Sequence, residues 1–202
     1  MNMRSSKIES VYWFGRHLYR MHYLSHQVPF QQNDKALNFS RAFCLPAFDA
    51  SSLNDLLYDH KQPFSFYKQF QVIKRDLVDI KGLLSQQTFQ QLSELANQAT
   101  ENTVKISQLI NESKIILEKE SHEILLFYRL GKHIERLDIQ LKLGMSVSNS
   151  VTSIAPMIQL LHARGGWGSL SEAWLKFKKF SDMNHFYHFN DQMQCAFEVN
   201  HS

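Results

Sequence analysis

One stretch of this chain is written twice. Leu125 to Leu141 reads LLFYRLGKHIERLDIQL, and its Gly131, His133 and Arg136 fall 116 positions after Gly15, His17 and Arg20, with Lys132 matching Arg16 and Ile134 matching Leu18. A repeat at such long spacing implies two equivalent elements that pack symmetrically. Val11, Phe14, Leu18 and Met21 in the first copy are matched by Phe127, Leu130, Ile134 and Leu137 in the second, with Leu141 beyond. Spacings of three and four belong to a helix with one packed face. The two copies are therefore expected to be helices, about 6–27 and 122–143, that nestle together along these seams.

The same period governs most of the remaining chain. Ser5 or Ser6 is placed to cap the first helix, and Pro29 lies just past its end. Residues 31–59 predict two short helices divided by Pro46. Pro63 suits the first position of a helix whose face is Phe66, Phe70, Ile73, Leu77 and Ile80, with Gly82 to close it. After Ser85 the seam Phe89, Leu92, Ala96, Ala99, Thr103, Ile106 and Ile110 predicts one long helix, packed nearly parallel to its neighbours. A turn is expected at 118–121, and Gly144 is expected to stop the second motif helix. Beyond it come a helix at about 152–163 with Pro156 in its first turn, a loop at 165–168, and a last amphipathic helix at about 170–182. The tail from Met183, rich in His and aromatic residues, has no assignment. No segment alternates with the period of a strand. The expectation is an all-α fold in one domain, 1–202: a bundle of four long helices with shorter ones flanking it.

Composition narrows the function classes. With 22 basic and 19 acidic residues the formal charge is only +3, which gives no footing for nucleic-acid binding. No apolar run approaches the roughly 18 residues of a membrane span, and MNMRSSKIES lacks the apolar core of a secretion signal. Cys44 and Cys195 form neither a disulfide framework nor a metal spacing, so a cytoplasmic location is expected. Glu198 and His201 supply one half of a carboxylate-bridged dimetal motif, but no second copy accompanies them. No metal and no cofactor are expected.

Chemistry concentrates on the repeat. Glycine inside a helix costs about 1 kcal/mol relative to alanine. For Gly131 and Gly15 the compensation expected is close approach of a second backbone. On a helical wheel Arg129, Lys132 and Arg136 gather opposite the seam, as do Trp13, Arg16 and Arg20 in the first copy. Such a strip is either a solvated face, with Arg stacked on Trp13 and paired to nearby acids, or a site where Arg16, Arg20, Arg129, Lys132 and Arg136 hold an anionic group. Glu135 and Asp138, three apart at the border of the seam, form a buried ion pair with a neighbouring helix or serve as an acid and base pair. The first copy has Tyr19 and His22 at those places.

At these residues the chain resembles the alpha-E family, helical bacterial proteins with a repeated Glu-Arg motif. Tyr12-Trp13-Phe14-Gly15-Arg16-His17-Leu18-Tyr19-Arg20 is similar to its opening motif. Tyr128-Arg129-Leu130-Gly131-Lys132-His133-Ile134-Glu135-Arg136, with Asp138, is similar to its second, and the stretch from Ile80 to Phe89 resembles the segment between them. The likeness covers about 10–143. The first copy departs at Tyr19, where the motif has Glu, and at Met21-His22, which replace a small residue and an acid. The resemblance implies association with an ATP-grasp-type enzyme and a transglutaminase-like protein, and so a place in a peptide-modifying system. Two functional readings follow: an accessory helical component that binds such a partner, or an enzyme whose cationic clamps hold an anionic substrate beside Glu135 and Asp138. A homodimer that completes its core across two chains is a third.

Overall fold

The computed structural model describes residues 3–99 and 103–199. Among these the chain forms ten α-helices and no strand: α1 (Met3–Ser25), α2 (Asn33–Ala42), α3 (Ala50–Tyr58), α4 (Phe66–Ile80), α5 (Gln86–Ala99), α6 (Thr103–Leu117), α7 (His122–Lys142), α8 (Ser148–Ala163), α9 (Gly168–Phe180) and α10 (Met183–Val199). None of the described helices is long and apolar enough to cross a membrane.

The two motif helices are the longest, at 23 and 21 residues, and they pack against each other. α1 also packs against α4, α6 and α10. Being covered on several sides, α1 buries Val11, Tyr12, Phe14, Leu18, Met21 and Leu24 rather than a single stripe. On α7, Phe127, Leu130, Ile134 and Leu137 are buried as their spacing requires. Ser121 caps α7 by accepting from the Ile124 N–H, and Gly144 ends it at φ +64, where the Met145 N–H donates to the Gln140 carbonyl at 2.8 Å. Left-handed glycine with this backward bond is a common helix stop.

Several boundaries differ from those the sequence predicts. The expected long helix after Ser85 is two helices, because α5 ends at Ala99 and α6, starting at Thr103, packs back on it. Leu92, Ala96, Ala99, Ile106 and Ile110 are all buried, so the seam stays in phase through the reversal. Periodicity cannot tell a straight helix from a folded-back pair when the phase is kept. The all-helical bundle is as expected, with the two motif helices of 23 and 21 residues its longest members and the other described helices at 17 residues or fewer. Ser5 and Ser6 lie inside α1, not before it. Ser65, not Pro63, opens α4, its hydroxyl accepting from the Lys68 N–H. Pro156 sits in the interior of α8 on its exposed side, where water can serve the carbonyl that lost its N–H partner.

The unassigned tail is α10. Its Phe186, Phe189, Met193, Ala196 and Phe197 are buried, and it lies on α9, α1 and α7. Phe197 reaches the motif pair itself, with ring centroids 5.4 Å from Tyr12 and 5.7 Å from Phe127.

Candidate functional site

The crossing of α1 and α7 is built from two glycines. A Cβ on Gly131 would overlap the Tyr12 carbonyl oxygen and lie 2.9 Å from its carbon; one on Gly15 would overlap the Tyr128 carbonyl oxygen. Tyr128 lies 116 positions after Tyr12, the same offset that relates Gly131 to Gly15. Each glycine therefore meets the equivalent carbonyl of the other helix, and the helices run parallel about a local pseudo-twofold axis.

One turn further on, this close approach joins side chains across the pair. Arg16 Nε donates to Glu135 Oε2 at 2.8 Å and Arg20 Nε to Oε1 at 2.5 Å. Asp138 Oδ2 receives Lys142 at 2.9 Å and lies 3.6 Å from Arg16 Nη2. The Arg16 guanidinium also covers Trp13, 5.1 Å from the ring centroid. Glu135 is wholly buried and Arg16 is 6% exposed. Burial alone would raise the Glu135 carboxyl, but the charges and hydrogen bonds of Arg16 and Arg20 outweigh it and hold the group below its ordinary value. On the far side of α1, His17 Nδ1 meets Asp76 Oδ2 of α4 at 2.6 Å.

The expected cationic strip is thus not one surface. Arg16 and Arg20, placed by the wheel on the open side of α1, turn to the acids of α7. A wheel shows only one helix, and here the supposed outer side faces another. Arg129 is held by Glu118 at 3.2 Å, which also lies 3.8 Å from Lys114. Lys132 and Arg136 stand apart from all of these, without an ion pair among the described residues. The charge of Arg136 acts on Tyr19 of α1 and that of Lys132 on His22, while Lys132 itself is lowered by burial and then by the charges of Lys114, Arg136 and Arg129. His133 is pushed down to about 4, by burial first and then by Lys132, Arg136 and Arg129. The Nδ1 atoms of His22 and His133 are buried with no hydrogen-bond partner among the described residues.

A separate cavity of about 640 Å³ opens beside the lower turns of α1 and α7. Tyr23, Phe39, Phe43, Leu57 and Val72 line it, Arg20 and Lys142 edge it, and the exposed Phe64 and Tyr187 border it. Its residues come from six separated segments, so no local motif announces it. Among the described residues no three potential metal ligands cluster. His22 and His26 meet edge to face with ring centroids 4.4 Å apart, Glu118 is engaged by Arg129, and His201 lies outside the described residues.

Neither a family model, nor a curated protein, nor a solved structure matches this chain, so its geometry and residue chemistry carry the functional reading.

Proposed function

We propose that this chain is a non-catalytic helical component that recognises a partner enzyme, with the cavity beside α1 and α7 as the point of contact. The observation that carries the reading is the state of the two carboxylates. Both oxygens of Glu135 are bonded to arginines, and Asp138 is engaged by Lys142 and Arg16. A proton-transfer group needs a lone pair open to substrate and a value near the working pH, whereas Glu135 is sealed from solvent and held below its ordinary value. Breaking such a pair on one side costs about 3–5 kcal/mol, which fits a cohesive role. This engagement weighs against the enzyme alternative, which needs Glu135 and Asp138 free for proton transfer.

The cavity supports recognition. Its lining is largely apolar and aromatic, and Phe64 and Tyr187 at its border are 38% and 51% exposed. A hollow of this kind takes an apolar side chain from a partner surface, and filled pockets of this sort dominate interface energetics. The resemblance of α1 and α7 to alpha-E proteins supplies the partner class: an ATP-grasp-type enzyme of a peptide-modifying system.

The test is co-purification of the tagged chain with such an enzyme encoded beside it, followed by ATP consumption with and without this protein. Wild type is expected to retain the enzyme and change its turnover, while Val72→Trp, which fills the cavity, loses retention without losing helical content. Equal retention by Val72→Trp, or ATP-independent turnover of a substrate by this chain alone, would overturn the proposal.

A further inference from the structure

We infer that Lys132 and Arg136 of α7, with Tyr19 and His22 of α1 facing them, form a binding site for the phosphoryl group of a small molecule. The inference starts from the symmetry of the crossing and does not depend on the partner reading above. The offset that carries Gly15 to Gly131 and Tyr12 to Tyr128 also carries Arg16 to Lys132 and Arg20 to Arg136. It carries Tyr19 to Glu135 and His22 to Asp138.

On one side of the pseudo-twofold axis two cations meet two acids: Arg16 and Arg20 bond Glu135, and Arg16 also faces Asp138. On the other side the cations are kept and the acids are gone. At the places equivalent to the two acids stand a phenol and an imidazole, Tyr19 and His22, and the charge of Lys132 reaches His22 as that of Arg136 reaches Tyr19. The charges felt by Lys132 are those of Lys114, Arg136 and Arg129, all of its own sign. Half-buried like charges without a counterion are costly, and an anion from solution relieves them.

Two features choose phosphoryl over carboxylate. First, the charge missing relative to the filled side is that of two carboxylates, and a phosphate monoester carries about −1.5 to −2 near neutral pH. Second, the site offers more donors than one carboxylate can use: the planar fork of Arg136, the ammonium of Lys132, the Tyr19 hydroxyl and a ring N–H of His22. The His22 and His133 Nδ1 atoms, buried without partners, lie in the same cationic neighbourhood. A bound dianion would offset the positive charge that lowers both rings and so favour their protonation.

Imidazole NMR signals, assigned with His22→Gln and His133→Gln, are followed while inorganic phosphate is added at constant ionic strength. Parallel titrations use glycerol phosphate, acetate and vesicles containing phosphatidic acid. The expected result is a saturable shift of both histidines with phosphate and with glycerol phosphate, little effect from acetate, and an upward move of the His133 titration. Lys132→Gln combined with Arg136→Gln should weaken binding about tenfold or more. Tyr19→Glu supplies the absent carboxylate from within, so it should abolish phosphate binding and raise the melting temperature. Should Tyr19→Glu fail to fold, the Lys132→Gln and Arg136→Gln variant decides alone. The inference is overturned if no saturable shift occurs, if acetate matches phosphate, if vesicles alone bind, or if any of these folded variants binds phosphate as wild type does.

Discussion

Glu135 and Tyr19 occupy equivalent positions, yet one has both oxygens engaged by arginine while the other leaves Arg136 without an acid. The same contrast fixes how single groups respond to pH. His133 in the folded chain titrates at about 4, below its ordinary 6.5, because burial and then Lys132, Arg136 and Arg129 disfavour its charged form. Between those values the unfolded chain holds a proton that the folded chain lacks. Stability present above pH 6.5 is therefore lost as the pH falls toward 4. Urea midpoints in phosphate-free buffer should decline through that window, and His133→Gln should flatten most of the decline; His22, also lowered, accounts for what remains. Glu135 acts lower still, losing its contribution as pH drops below 4.5 and through its depressed folded value. In the sequence, the acidic pair was visible as a choice between cohesion and chemistry. Its partners were not, since only the mutual orientation of α1 and α7 brings Arg16 and Arg20 to it.

The helix pair makes a sharper demand on residue 131 than helix propensity does. In Gly131→Ala the added carbon meets the Tyr12 backbone, which cannot rotate aside as a side chain would. We expect a loss of about 1–3 kcal/mol in urea unfolding despite the better helix propensity of alanine. Gly168→Ala is the control. Nothing lies within 4 Å of its added carbon, so the change should be neutral or stabilise by up to about 1 kcal/mol. Both motif helices could be read from their apolar spacing, and the breaks near Pro29, Pro46 and Gly144 from single residues. The division of α5 from α6 could not, because the seam crosses it without a change of phase. The signal for α10 was present: Phe186, Phe189, Met193 and Ala196 step by three, four and three. It lay within a run of histidines and aromatics whose composition suggests no structure on its own.

At the scale of the molecule, α10 closes the core over the motif pair. Phe197 is 2% exposed and touches Tyr12 of α1, Phe127 of α7 and Trp167 ahead of α9. Phe197→Ala should cost about 3–5 kcal/mol in global unfolding. It should also alter the emission of Trp167, whose ring stands edge-on to Phe197 at 5.6 Å. A fall in stability with unchanged emission would mean that the end of α10 is held elsewhere. The backbone contacts at Gly15 and Gly131 have a consequence for how such a chain can vary over time. Because the joint depends on main chain against main chain, replacement of the surrounding side chains leaves its geometry intact. One half of a duplicated segment can then keep its ionic clasp while the other trades that clasp for a new task.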